Sequence, residues 1–230
     1  MKMYLNSIYL ATEGEGVHVG TPQVFVRYQG CNIGCLNCDS KDTWEFKDGM
    51  GLDFHGVLAE INAVSLQQKI KRVSITGGDP LHPMFEDSVL ALVKELKKDG
   101  FYINIEASGQ RISHKTFDLI DYISFDFKTP CTGIKGQLNL IEKLSEQYPN
   151  KFQIKSVVET RKDFDYLIVQ KEKLENTDFP WVITPSYNLN EEFPKERFNQ
   201  IIAWNEDLHF PFRVIAQQHK LLHGPDKKQI

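Results

Sequence analysis

The stretch "QVFVRYQGCNIGCLNC", residues 23–38, begins as an apolar strand and ends in three cysteines. Its alternating valine, phenylalanine and tyrosine side chains are typical of a β-strand. The glycines and asparagines that follow tolerate left-handed backbone conformations, as a loop folded around a bound group requires. Cys31, Cys35 and Cys38 have the spacing C-x3-C-x2-C, whereas the fourth cysteine, Cys131, lies far away in the chain. The stretch therefore predicts a strand whose end carries three clustered thiols.

Three neighbouring thiols are compatible with more than one kind of site. A structural zinc uses four ligands, and no second CxxC or HxxxH pair lies nearby. A thiol exchange pair needs only C-x-x-C, which leaves Cys31 unused. A [4Fe–4S] cluster is usually held by four thiolates, so three leave one iron open for another ligand. We favour the iron–sulfur cluster, with zinc or a chance grouping as the alternatives, and we expect Cys131 to be a small, partly buried residue.

Composition limits the kinds of partner. The chain has 230 residues, of which 41% are hydrophobic, and we predict a single domain over residues 1–230. The net charge of -4 is spread over the chain, which argues against a nucleic-acid partner. The N-terminus lacks a continuous apolar segment and no window could span a bilayer, so we expect no membrane partner and a cytoplasmic location. In a reducing compartment, clustered cysteines indicate a metal or redox site.

Strand and helix patterns alternate along the chain. Strand patterns cover residues 23–28, 72–76, 101–106, 122–127, 152–158, 181–184 and 213–216. Helical patterns cover residues 54–66, 85–98, 136–147, 163–175 and 195–205. This alternation predicts an α/β fold of parallel βα units, either a doubly wound open sheet or a full or partial barrel. Both architectures place their sites at the C-terminal ends of the strands, and the chain length favours a partial (β/α) barrel of about six parallel strands with trimmed helices.

Reactive or glycine-rich residues follow five of these strands. They are the three cysteines and the segments Gly77–Pro80, Ala107–Gly109, Lys128 and Gln217–Lys220. Turns favour glycine, serine and aspartate in any case, which is enough to explain Gly109 but does not explain three thiols. We therefore expect these strand ends to meet at one functional rim.

Several motifs resemble a known superfamily. The cysteine loop, followed by "TGGDP" at residues 76–80, looks like the radical S-adenosylmethionine superfamily. More narrowly, residues 11–44, "ATEGEGVHVGTPQVFVRYQGCNIGCLNCDSKDTW", are similar to the opening of the 7-carboxy-7-deazaguanine synthases, enzymes of queuosine and deazapurine biosynthesis. The resemblance continues in "EASG" (106–109), "DYISFDFKTPCTG" (121–133) and "QQHKLLHG" (217–224). It implies a radical S-adenosylmethionine core and touches nearly the whole chain.

The resemblance also implies roles for individual residues. The metal ligands it implies are Cys31, Cys35 and Cys38 for a [4Fe–4S] cluster whose open iron binds S-adenosyl-L-methionine, and Ser40 for Mg²⁺. The S-adenosylmethionine contacts it implies are Gly78, Asp79, Glu106, Ser108, Ser124 and Lys128. The substrate contacts it implies, for the anion 6-carboxy-5,6,7,8-tetrahydropterin, are Glu13, Glu15, Arg27, Gln217 and His219. A carboxylate suits the guanidine-like pterin edge, and an arginine fork suits the pterin carboxylate.

The implied reaction is contraction of the pterin ring to 7-carboxy-7-deazaguanine with loss of ammonia. The resemblance also implies a flavodoxin or ferredoxin electron donor and a homodimer. Departures from the family pattern are Glu13 in place of glutamine and the variants "GGDP" and "EASG". A radical S-adenosylmethionine activase that forms a glycyl radical on a partner protein is the alternative, and a noncatalytic metal or redox module is a third reading.

Overall fold

One eight-stranded sheet runs through the computed structural model, which describes residues 1–47 and 49–230. The strands are β1 (Leu5–Thr12), β2 (Pro22–Tyr28), β3 (Arg72–Gly77), β4 (Tyr102–Ala107), β5 (Tyr122–Asp126), β6 (Phe152–Val158), β7 (Trp181–Pro185) and β8 (Arg213–Val214). The helices are α1 (Phe54–Val64), α2 (Glu86–Lys98), α3 (His114–Phe117), α4 (Leu138–Gln147), α5 (Arg161–Lys171), α6 (Lys195–Asp207) and α7 (Gln218–His223).

The order of the strands decides between the two predicted architectures. Neighbours follow the chain from β1 to β8, and every pair from β2 to β8 is parallel. A doubly wound sheet reverses its strand order at a switch point, and the described strands have no such reversal. The predicted partial (β/α) barrel is therefore confirmed, with β1 added antiparallel to β2.

Consecutive buried residues characterise the central strands. The side chains of Val73–Thr76 and Ile103–Ile105 are all buried, as expected for parallel strands that are covered on both faces. On the outer face, α2 buries Val89, Leu92, Val93 and Leu96 against the sheet, which is the helical face that the 3.6-residue spacing predicts. The core therefore lies between the sheet and its helices, and the polar strand ends remain available for a site.

The sequence patterns missed β1, α3 and α7. Strand β1 has a register shift between Leu5 and Ser7, and such an irregularity interrupts the alternation by which a strand is detected. Helices α3 and α7 have four and six residues, too few for a periodic pattern. The predicted seventh strand, residues 213–216, shortens to Arg213–Val214, which pair with Val182 and Ile183.

Residues that follow β1 connect the two ends of the open sheet. The amide of Gln218, at the start of α7, donates to the carbonyl of Gly14 at 2.8 Å. The amide of Val17 donates to Oε1 of Gln153, on β6, at 2.8 Å. These bonds bring the segment after β1 across the N-terminal ends of the parallel strands, where His18 packs on Tyr102 and Tyr122 at the starts of β4 and β5. No helix within residues 1–47 and 49–230 has the length and apolar character needed to cross a membrane.

Candidate active site

The C-terminal ends of the strands enclose a cavity of about 310 Å³. It is lined by most of the residues for which the sequence suggested a role, namely Glu13, Glu15, Arg27, Cys31, Cys35, Cys38, Ser40, Gly78, Glu106, Ser108, Lys128, Gln217 and His219. The expected convergence of strand ends is thus confirmed. A chemically mixed cavity at the C-terminal edge of a (β/α) barrel is the usual location of an active site in such folds.

The cysteine loop is held against the end of β3 by backbone contacts. The carbonyl of Gly30 accepts from the amide of Asp79 at 3.0 Å, and the amide of Gly30 donates to the carbonyl of Thr43 at 2.7 Å. A Cβ atom on Gly78 would lie 2.3 Å from the carbonyl oxygen of Gly30 and 2.9 Å from that of Thr43. The second glycine of "TGGDP" is therefore required by this close approach of two backbones.

Three free thiols border the same cavity. Cys31, Cys35 and Cys38 are partly buried and form no disulfide, and Trp44 Nε1 donates to Cys38 Sγ at 3.4 Å. Within the described residues no three His, Cys, Asp or Glu side chains lie close enough together to hold one metal ion. Three thiols that border one cavity suit a cluster of four irons, in which each thiolate binds a different iron.

Two of the expected cofactor-binding residues lie behind the cavity wall. Asp79 is fully buried, accepts from Ser108 Oγ at 3.1 Å and has Arg111 Nη1 3.1 Å from its Oδ2, close enough for an ion pair but not aligned as a hydrogen bond. Ser124 is also buried and donates to Asn104 Oδ1 at 3.2 Å. Neither residue lines the cavity in the described part of the chain, so each could act on a ligand only through its neighbours.

Lys155 is a central charge of the site that sequence reasoning missed. Its ammonium lies 3.0 Å from Glu15 Oε2 and 2.6 Å from Glu106 Oε2. Burial would raise the pKa of the Glu15 carboxyl, but Lys155 and His219, with a hydrogen bond from Gln217, lower that pKa to about 2. Glu15 is therefore a carboxylate at neutral pH. The available signal was a single charged residue within the otherwise uncharged strand "FQIKSVV".

The pKa of Glu13 is raised, whereas that of Glu15 is lowered. Its Oε2 accepts from Gln23 Nε2 at 2.6 Å and its Oε1 from the amide of Glu15 at 3.1 Å. Burial, followed by the charge of Glu106, raises the pKa of Glu13 to about 7 although Lys155 lowers it. The Glu13 carboxyl, at a position where the synthases that the sequence resembles have glutamine, is therefore largely neutral below pH 7, when it has the charge and approximate size of an amide.

A Glu13→Gln variant should become more stable relative to wild type as pH rises, because glutamine cannot ionise in this buried position. A carboxyl whose pKa rises on folding stabilises the protein fully below its unfolded pKa of 4.5, and this contribution is lost as pH rises through about 7. Relative to wild type, the variant should gain up to about 3 kcal/mol in unfolding free energy between about pH 4 and pH 8. Urea unfolding across this range measures the gain. The exposed Glu142→Gln is the control, and a pH-independent difference for Glu13→Gln would contradict the shift.

Arg27 is held only loosely by protein groups. Its Nη1 lies 3.5 Å from both Ser40 Oγ and the carbonyl of Gly77, and its Nη2 donates to Tyr9 Oη at 3.3 Å. Within residues 1–47 and 49–230 it forms no ion pair with a carboxylate. A guanidinium with long hydrogen bonds at a cavity wall is well suited to bind an anion from the cavity.

Ser40 and Asp39 place oxygen atoms beside Arg27. Ser40 Oγ donates to Asp39 Oδ1 at 3.1 Å, and Lys220 Nζ lies 2.9 Å from Asp39 Oδ2. Burial would raise the pKa of Asp39, but Lys220 and Arg27 hold that pKa well below its usual range. The Asp39 carboxylate therefore remains ionised, and its Oδ1 and the Ser40 hydroxyl are the kind of ligand that Mg²⁺ binds.

The C-terminal segment completes the wall of the cavity. Gln217 Nε2 donates to Glu15 Oε1 at 2.7 Å. His219 packs so closely on Gly14 that a Cβ atom there would lie 2.1 Å from its Nδ1. Burial lowers the pKa of His219, which favours the neutral ring. On the cysteine side, Lys128 Nζ donates to Asp126 Oδ2 at 2.7 Å.

Comparisons with known proteins agree with this geometry. Residues 12–125 match the family model described as "4Fe-4S single cluster domain". The 7-carboxy-7-deazaguanine synthase of Koribacter versatilis is 26% identical over 99% of this chain and 100% of its own, and that of Methanospirillum hungatei is 29% identical over 97% and 86%. The crystal structure of QueE from Escherichia coli has a TM-score of 0.69 with 24% identity, covering 95% of each chain. The fold and the sequence thus resemble the same group of proteins.

Proposed function

We propose that this chain, which is similar over nearly its whole length to 7-carboxy-7-deazaguanine synthases, catalyses the same reaction. It converts 6-carboxy-5,6,7,8-tetrahydropterin to 7-carboxy-7-deazaguanine with loss of ammonia, a step of queuosine and deazapurine biosynthesis. The observation that carries the proposal is one cavity that is lined both by three free thiols and by an arginine, a carboxylate and a histidine. This arrangement provides a cluster site and an anion site in one enclosed space.

The donor set fits a [4Fe–4S] cluster with S-adenosyl-L-methionine. Cys31, Cys35 and Cys38 supply three thiolates, and no fourth cysteine borders the cavity among the described residues. When bound, the cluster supplies the one-electron reduction that cleaves the sulfonium of S-adenosylmethionine. The chain provides the enclosure that excludes water and orients the reactants.

Residues at the ends of β3, β4 and β5 hold S-adenosylmethionine in this proposal. Gly78 exposes backbone to the cavity, and Glu106, Ser108 and Lys128 line it. The Glu106 carboxylate accepts hydrogen bonds from hydroxyl or ammonium groups. Asp79 and Ser124 support these contacts from behind, because Asp79 accepts from Ser108 and Ser124 donates to Asn104, which in turn donates to Glu106 Oε1 at 2.8 Å.

The pterin occupies the opposite half of the cavity. Arg27 binds its carboxylate, since the guanidinium forms no salt bridge with a carboxylate within the described chain. The ionised Glu15 accepts N–H groups from the guanidine-like edge of the pterin, while Gln217 fixes the other oxygen of Glu15. Glu13 and the neutral His219 complete the contacts, and Ser40 Oγ binds Mg²⁺ together with substrate oxygens and water.

Further partners follow from the same function. We propose that residues 1–230 form one catalytic domain in the cytoplasm and that the active protein is a homodimer. A flavodoxin or ferredoxin supplies the electron. A glycyl-radical activase does not account for Glu15 and Arg27 facing a cavity of small-molecule size, so that alternative is not favoured.

Anaerobic reconstitution with iron and sulfide tests the proposal. Reduced protein with S-adenosylmethionine, 6-carboxytetrahydropterin and Mg²⁺ should form 5′-deoxyadenosine and 7-carboxy-7-deazaguanine, and chelation of Mg²⁺ should slow product formation. Failure to assemble a cluster or to form 5′-deoxyadenosine would refute radical chemistry. Formation of 5′-deoxyadenosine without the deazaguanine product would refute the substrate assignment alone.

A further inference from the structure

Lys155 lies between two carboxylates that come from different parts of the chain. Glu15 follows β1 and Glu106 lies on β4, whereas Lys155 is on β6. Its Nζ is 3.0 Å from Glu15 Oε2 and 2.6 Å from Glu106 Oε2, and its side chain is only 11% exposed. One ammonium therefore connects three elements of the barrel that do not adjoin in sequence.

Each carboxylate uses one oxygen for Lys155 and the other for a neutral amide. Glu15 Oε1 accepts from Gln217 Nε2 at 2.7 Å, and Glu106 Oε1 accepts from Asn104 Nδ2 at 2.8 Å. Both glutamates line the cavity. Since each ionised carboxylate has about four lone-pair sites, both can accept further hydrogen bonds from a ligand while their orientation stays fixed.

The charges around Lys155 make it necessary for this arrangement. Glu13, Glu15, Glu106 and Asp126 all act on it, and together they raise the pKa of Lys155 well above its usual value although burial lowers it. Without the ammonium, like charges in a partly buried site would repel one another and would favour protonation or displacement of the side chains. Lys155 thus determines both the charge and the positions of the two cavity carboxylates.

We propose that Lys155 is a positioning residue that connects the pterin half of the cavity to the S-adenosylmethionine half by holding Glu15 and Glu106 with a single ammonium group. The inference rests on the proposed function, which assigns Glu15 to the pterin and Glu106 to the cofactor. A reaction between two bound molecules depends steeply on their relative placement. A shared cation between their binding carboxylates sets that placement.

A Lys155→Met variant tests the role, with the exposed Lys143→Met as its matched control. Loss of the charge-assisted hydrogen bonds should weaken binding of the non-reacting analogue 6-carboxypterin to the cluster-free protein about tenfold or more, measured by calorimetry. In the reconstituted enzyme, the KM for the pterin should rise more than kcat falls, and more 5′-deoxyadenosine should form per product. Wild-type affinity and wild-type coupling would overturn the inference.

A double-mutant cycle separates a connecting role from a merely structural one. In cluster-free protein, Glu106→Gln should reduce 6-carboxypterin affinity about threefold or more, because the ammonium of Lys155 is then no longer anchored by Glu106 and cannot hold Glu15 in the position that binds the pterin. In the Lys155→Met background, the same change should have no effect. Equal effects in both backgrounds would overturn the connection.

The controls distinguish the possible failures. If Lys155→Met does not fold, Lys155→Gln, which keeps hydrogen-bond donors but no charge, replaces it with the same expected outcomes. If wild type binds the pterin and cleaves S-adenosylmethionine without forming the deazaguanine, the proposed reaction fails while the binding cycle still decides the role of Lys155. If wild type binds no pterin, both fail.

Discussion

Replacing Cys35 with alanine should abolish the iron–sulfur cluster and all reductive cleavage of S-adenosylmethionine. Cys35 borders the cavity with Cys31 and Cys38, and removal of one of only three thiolates leaves two irons without a protein ligand. Loss of even an outer partner of a metal ligand costs about 10 to 100-fold in metal affinity, so loss of a ligand should cost more. Bound iron, visible absorbance and 5′-deoxyadenosine formation measure the result.

Cys131 is a stringent control for this prediction. Its Sγ lies 3.7 Å from Asn37 Nδ2, so it is adjacent to the cysteine loop, and 3.2 Å from Thr129 Oγ1. Burial raises the pKa of its thiol to about 11, as it also raises the pKa of Cys31 and Cys35. What sets Cys131 apart is its position, because it does not border the cavity within the described residues. Cys131→Ala should therefore retain the cluster and its activity. A loss of cluster equal to that of Cys35→Ala would indicate a four-thiolate site and would contradict the open iron.

The sequence predicted those parts of the site that depend on local pattern. The apolar strand before the cysteines, the Gly-Gly turn after β3 and the alternation of strands and helices each come from a few adjacent residues. Parallel strands bring their C-terminal ends to one edge. Local patterns were therefore sufficient to predict that the cysteines, Gly78 and His219 would share a cavity.

Other parts depend on contacts between distant residues, which no local pattern contains. Lys155 and Glu15 are 140 residues apart and meet only because the segment after β1 crosses the sheet. Asp79 appeared to be a cavity residue from its motif, but Ser108 and Arg111 engage it behind the wall. Strand β1 was missed because the irregularity between Leu5 and Ser7 interrupts its alternation.

Replacing Gly78 with alanine should destabilise the protein and prevent cluster assembly. The added Cβ would lie 2.3 Å from the Gly30 carbonyl oxygen and 2.9 Å from that of Thr43. These neighbours are backbone atoms and cannot rotate away, so the cysteine loop must move from the end of β3. Overpacking of this kind lowers the unfolding free energy by up to about 3 kcal/mol. Urea unfolding of the cluster-free protein and iron content after reconstitution measure the two effects.

Gly56→Ala provides the matched control for Gly78→Ala. Gly56 lies in the first turn of α1, and a Cβ atom there would have its nearest neighbours, atoms of Asp53 and Leu52, at 3.4 Å, which is ordinary contact. Alanine also favours the helix over glycine, so this variant should keep or slightly raise stability and should assemble the cluster. If Gly78→Ala behaved like Gly56→Ala, the glycine would be an ordinary turn residue. The predicted difference in stability and cluster assembly between the two variants instead attributes the need for glycine in "TGGDP" to the close approach of two backbones.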